Sequence, residues 1–219
     1  PKLNSDIYAL GIIGIQGLTG IGKSCLAAKV YESQLFEARF WADVREGTDF
    51  SVFAKKALTE LAGKSSEELE TLREPNQLIF ALLDILRQRP CLLVVDNLET
   101  LLDKERHFQE IYKYFFNRWI EHGTTSKILL TTQIQPEVME GHGHWLSLPG
   151  LKVTEGAKLL SDLGIVRSDE ELQDFSKYLN GHPMMLRLVA SKLKPDAHIL
   201  KSEKLRFRQL DFLLNKDHM

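Results

Sequence analysis

The stretch that most constrains this chain is Gly17-Leu18-Thr19-Gly20-Ile21-Gly22-Lys23-Ser24. It follows the apolar run Ala9-Leu10-Gly11-Ile12-Ile13-Gly14-Ile15, which reads as a buried strand, and precedes Ser24-Cys25-Leu26-Ala27-Ala28-Lys29-Val30-Tyr31, which reads as the first turns of a helix. Strand, glycine-rich loop and helix in that order form a phosphate-binding loop. Successive backbone N–H groups line such a loop and face an anion, and the helix N-terminus adds unpaired donors and the positive end of its dipole. Gly17 and Gly22 are expected to allow backbone angles and a close approach that a Cβ would block. Lys23 is placed to meet the β- and γ-phosphates, and Ser24 to give its hydroxyl to Mg²⁺. The expected nucleotide contacts are Gly17, Leu18, Thr19, Gly20, Ile21, Gly22, Lys23, Ser24 and Cys25.

Four further strands are expected, over Arg39–Val44, Cys91–Asp96, Lys127–Thr132 and His144–Leu148, after a first strand over Ile7–Gln16. Helical patterns separate them: one capped by Thr48 or Asp49 and closed by Gly63, a short one over Glu67–Arg73, a strongly apolar one over Gln77–Arg87, and an aromatic-rich one over Phe108–Ile120. Alternating strands and helices give an α/β domain with a mainly parallel sheet over 1–150. After Pro149-Gly150 the strand signals stop, and 151–219 reads as a small helical domain. Its candidate helices are Thr154–Leu163, Ser168–Leu179, Pro183–Leu193 and Glu203–Leu214. Ser168 followed by Glu171 has the form of a capping box.

Ligands of such sheets bind at the carboxyl ends of the strands. That rule brings Gly17–Ser24 together with Asp96–Glu99 and Thr131–Gln133. Leu92-Leu93-Val94-Val95-Asp96 is an apolar strand ending in an acid, the Walker B form, and Asp96 is expected to join Ser24 as a metal-orienting residue. Glu99 is either the carboxylate that polarises the attacking water or a solvated loop acid. Gln133 either reaches the γ-phosphate by hydrogen bonding alone or meets solvent at a strand end. Pro183 offers a ring face for an adenine, or is simply a proline in a helix's first turn. The catalytic candidates are therefore Lys23, Asp96 and Glu99. Trp41, Trp119 and Trp145 sit in apolar patterns and are expected in the core, and His142 and His144 lack further ligands for a metal site.

Composition narrows the class. The 219 residues are 43% hydrophobic and 26% charged with a formal net charge of -2, ordinary for a soluble globular protein and without the electrostatic footprint of a nucleic-acid or membrane binder. Lys201–Arg208 mixes its basic residues with Glu203 and apolar side chains, as the solvated face of a helix does. No apolar run approaches the roughly 18 residues of a membrane-spanning helix. The two cysteines, Cys25 and Cys91, are expected as buried thiols in a reducing, cytoplasmic setting.

Taken together, GLTGIGKS, the aromatic-rich second strand over Phe36–Val44, LLVVDNLE, Lys127-ILLTTQ and Gly181-His182-Pro183-Met184-Met185-Leu186 resemble the NB-ARC module of STAND signalling ATPases, in particular its bacterial, cyanobacterial-like branch. The resemblance runs from about Ile7 to Leu193. It implies a P-loop NTPase fold of the ASCE/AAA+ kind, five strands with the fourth between the first and third, and a helical lid carrying Pro183 towards the adenine or ribose. It also implies an ATP/ADP switch with slow Mg²⁺-dependent hydrolysis, nucleotide-driven homo-oligomerisation, and further domains on a longer chain: a winged helix, sensor repeats and an effector. Two positions depart from the family pattern: Gln133 stands where Arg is usual, and Asn97 where a second acid is usual. The rival expectation is an AAA+ or origin-recognition-type ATPase acting on DNA or a protein complex. Near-neutral charge and Gln133 argue against it. A scaffold with a degenerate loop is disfavoured by the intact Lys23, Ser24 and Asp96.

Overall fold

The computed structural model describes residues 11–33, 36, 38–45, 47–122 and 125–193. The lead-in over 1–6, the first residues of the expected opening strand (7–10), the helix expected over Glu203–Leu214 and the Lys201–Arg208 run lie outside them. The described residues divide into two compact units, which meet in sequence at Pro149 and Gly150.

The first unit is built on five parallel strands: β1 (Ile12–Gln16), β2 (Ala38–Asp43), β3 (Cys91–Asp96), β4 (Lys127–Thr132) and β5 (His144–Ser147). Their spatial order is β2-β3-β4-β1-β5, so β4 lies between β3 and β1, the order implied by the family resemblance. Five helices connect them: α1 (Lys23–Glu32), α2 (Phe50–Ala62), α3 (Ser66–Glu70), α4 (Pro75–Gln88) and α5 (Glu110–His122). Asp49 caps α2 through the N–H groups of Ser51 and Val52, and Gly63 ends it with φ 65°.

The central strand shows why the sheet is covered on both faces. All six residues of β3 are buried. Alternate side chains point to opposite faces: Leu93 and Val95 join Phe40, Ile128, Leu130 and the apolar faces of α2, α4 and α5, while Leu92 and Val94 join Ile15, Leu129 and Ala27 of α1. A strand apolar at every position satisfies both layers at once. Within the larger layer Phe50, Phe53, Tyr112 and Phe115 form an aromatic cluster with edge-on and tilted rings. Burial pushes the Tyr112 phenol well above its usual pKa, and its hydroxyl donates to Thr48 O at 2.7 Å.

Of the three tryptophans expected in the core, Trp119 is fully buried. Trp41 and Trp145 are half-buried, because they lie on the two edge strands β2 and β5, where only one side of a side chain finds neighbours. Trp145 covers Gly14 of β1: a Cβ on Gly14 would stand 2.1 Å from the indole ring.

The second unit contains α6 (Val153–Asp162), α7 (Asp169–Tyr178) and α8 (Pro183–Leu193). Leu160, Leu172, Leu186, Val189 and Ala190 form its core. Ser168 caps α7 in a complete capping box with Glu171, as its sequence form predicts. The hydrogen bonds from Ser168 hold the Glu171 carboxyl below its usual pKa.

Gly14→Ala is expected to destabilise the first unit by about 1–3 kcal/mol through overpacking against Trp145. Denaturant unfolding with tryptophan fluorescence checks this; an unchanged midpoint would show that the indole has room to move.

Candidate functional site

The loop between β1 and α1 takes its shape from backbone constraints. Gly22 is the N-cap of α1 with φ 112°, ψ 12°, a left-handed conformation that L side chains rarely adopt. No side chain caps this helix and no acid sits in its first turn. The first bond of the helical ladder runs from Leu26 N–H to Gly22 O at 3.0 Å, so the N–H groups of Lys23, Ser24 and Cys25 precede the ladder, at the positive end of the helix dipole. Gly17 has a different role from the one expected of its backbone angles. Its φ is not in the left-handed region, and it is small because Ile21 and the Leu148 carbonyl would each stand 3.0 Å from a Cβ there.

Lys23 is only 7% exposed. Its ammonium donates to two carbonyls of its own loop, Gly17 O at 2.9 Å and Leu18 O at 3.1 Å. Among the described residues no carboxylate pairs with it. A buried cation satisfied only by neutral dipoles lacks a counter-charge, which an anion can supply.

Asp96, at the end of β3, is 3% exposed. One of its oxygens accepts the Ser24 hydroxyl at 2.8 Å and also the Thr131 hydroxyl. Thr131 Oγ1 in turn accepts Asn97 N–H at 3.0 Å. Ser24 and Asp96 thus present two oxygen ligands side by side, and their hard-donor chemistry fits Mg²⁺.

The backbone turns sharply after Asp96. Asn97 has φ 65° and opens a short 3₁₀ turn, Leu98–Leu101. The Asn97 side-chain amide donates to Asp43 Oδ1 at 3.0 Å. Asp43 ends β2 directly opposite Asp96 in register. It is a neighbour of the site that no motif announced: its only sequence signal was an acid closing a strand. Thr131 was equally faint, a polar residue in an apolar strand.

Glu99 lies on the 3₁₀ turn and meets Gln133. The Gln133 amide donates to Glu99 Oε1 at 2.9 Å, and Gln133 N–H to Glu99 Oε2 at 3.3 Å. Gln133 also follows Thr132, whose carbonyl accepts Gly17 N–H at 3.1 Å. The carboxyl edge therefore gathers Lys23, Ser24, Asp96, Glu99 and Gln133 as the strand-end rule predicts. Leu18 and Thr19 are exposed at the loop. Cys25 is exposed rather than buried, on the opposite side of α1 from the buried Lys23 and Ala27, while Cys91 is buried. Pro183 is the first residue of α8, in the second unit, half-buried. Among the described residues no helix is long and apolar enough to cross a membrane.

Comparison with known proteins bears on the family and the fold. The NB-ARC domain family matches residues 2–165. A WD repeat-containing protein from Nostoc sp. is 27% identical over 206 residues, covering 84% of this chain; the chain spans 16% of that relative. Among solved structures, a STAND protein with a tetratricopeptide repeat sensor from Pyrococcus horikoshii aligns over 96% of this chain and 31% of its own, with TM-score 0.66 and 23% identity. A Walker-type ATPase of Pyrococcus abyssi aligns over 82% of this chain and 61% of its own, with TM-score 0.54 and 14% identity. The structural likenesses concern the fold, and the family match spans most of the chain: this protein belongs to the NB-ARC domain family.

Proposed function

We propose that this chain is the ATP/ADP-binding switch module of a cytoplasmic STAND signalling protein, with slow Mg²⁺-dependent hydrolysis of ATP. The observation that carries this reading is Lys23: a buried ammonium on loop carbonyls, at a helix N-terminus that no side chain caps. An anion with several oxygens is the ligand that such a site accepts best.

In this reading the backbone N–H groups of 17–25 hold the phosphates, and Lys23 moves from the loop carbonyls to the β- and γ-phosphate oxygens. Ser24 and Asp96 would hold Mg²⁺, which when bound neutralises phosphate charge and orients the terminal phosphoryl group. Thr131 keeps the Asp96 carboxylate in place. Glu99 accepts the proton of the water that attacks the γ-phosphorus, and Gln133 faces the γ-phosphate without adding charge. Residues 1–150 form the nucleotide domain, and 151–219 form the lid that brings Pro183 to the adenine. ADP and ATP would then differ in how strongly they favour the closed and open arrangements, and that difference alone would set the populations. Oligomerisation, and the sensor and effector domains of a longer chain, belong to the same proposal.

Titration calorimetry on the full chain is expected to show binding of both ATP and ADP. Lys23→Ala should lose about two orders of magnitude in affinity, with its circular dichroism unchanged. Heatless titrations of the wild type with both nucleotides would end this reading.

Asp96→Asn is expected to lower Mg²⁺-dependent hydrolysis by roughly a hundredfold, while ADP binding in EDTA stays within about threefold of wild type. Phosphate-release assays and calorimetry give the two numbers. Equal losses in both would make Asp96 a structural acid rather than a metal ligand.

A further inference from the structure

The reading above gives Glu99 and Gln133 separate tasks. The geometry points to a single device: we infer that Gln133 is the positioning residue for Glu99, fixing the carboxylate beside the γ-phosphate. This deepens the proposed function and rests on it.

Gln133 engages both oxygens of Glu99, one through its side-chain amide at 2.9 Å and the other through its backbone N–H at 3.3 Å. The two residues are 34 positions apart and come from different strand ends. Each is anchored on its own side. The Glu99 turn is pinned by Asn97, whose N–H meets Thr131 and whose amide meets Asp43, and by the Thr100 hydroxyl, which donates to the carbonyls of Val44 and Asn97. Gln133 is held at its carbonyl by the Gln16 amide at 3.4 Å, and the preceding carbonyl, Thr132 O, takes Gly17 N–H at 3.1 Å. Glu99 is therefore referenced, through Gln133, to the backbone that begins the phosphate loop.

The chemistry of the amide explains why Gln serves here. A carboxamide nitrogen carries two hydrogens. One is spent on Glu99; the other is left for a phosphate oxygen. A neutral amide orients the carboxylate by hydrogen bonding alone, without the ion pair that a guanidinium would form with it. Reaction rates are steep in such placement, with about a hundredfold lost for a misplacement near 1 Å.

The test is a double-mutant cycle on single-turnover ATP hydrolysis by the full chain, with ATP and ADP affinities measured alongside. Gln133→Ala removes the side-chain bond and keeps the backbone one. Hydrolysis is expected to fall by about tenfold or more, with ADP affinity within about twofold and ATP affinity within about threefold of wild type. Gln133→Met, of equal length and without donors, should behave alike, which separates lost hydrogen bonding from lost bulk. In a Glu99→Gln background, already slow, Gln133→Ala should add less than about twofold. The inference is overturned if Gln133→Ala leaves the hydrolysis rate unchanged, or if its loss multiplies in full with that of Glu99→Gln. It is also overturned if Gln133→Ala costs only ATP affinity, the mark of a plain γ-phosphate contact. Wild-type protein that binds neither nucleotide would remove the proposed function itself, an outcome distinct from all of these.

Discussion

The site depends on the insertion of β4 between β3 and β1. Parallel pairing with both neighbours brings the ends of all three strands to one edge, and hydrogen bonds from the last residues of β4 tie that edge together. Thr131 bonds to Asp96 on one side, and the Thr132 carbonyl takes Gly17 N–H on the other. Thr131 is fully buried, so its hydroxyl needs a partner inside the protein. Asp96 supplies one and is oriented in return. A carboxylate with little solvent around it is held by such a bond far more firmly than one at a free surface.

The same edge gives a physical reason for Asn97. Its left-handed backbone turns the chain out of β3, a conformation that Asn tolerates better than most residues. Its amide donates to Asp43, which Arg45 also holds, at 3.0 Å. An acid at 97 would set a second negative charge against Asp43, and like charges at hydrogen-bond distance repel. The departure from the family pattern is thus matched by the acid that ends β2. Beyond Asp96, the next carboxylate along the chain is Glu99, which Gln133 engages.

The loop itself is arranged around cationic and dipolar donors. Lys23 rests on carbonyls rather than on an acid, and the first turn of α1 carries no acidic side chain. The acids come from the end of β3 and the turn after it: Asp96 accepts the Ser24 hydroxyl, and Glu99 accepts the Gln133 amide.

Much of this was legible in the chain. The strand–loop–helix segment, the all-apolar β3 ending in Asp96, the Asp49 and Ser168 caps and the Gly63 stop are local signals. Each depends on neighbours within a few residues, so the sequence determines them directly. What depends on pairing was not legible. The strand-end rule put Glu99 and Gln133 at one edge, but the bond between them, like that between Asn97 and Asp43, is fixed by strand order and register. The edge positions of Trp41 and Trp145 follow from strand order, which no single strand encodes. The sequence alone thus determined that a phosphate loop, a Walker B acid and a helical segment were present. The tertiary structure decided which polar side chains meet at the loop, because hydrogen bonding between residues far apart in the chain is set by strand order and register.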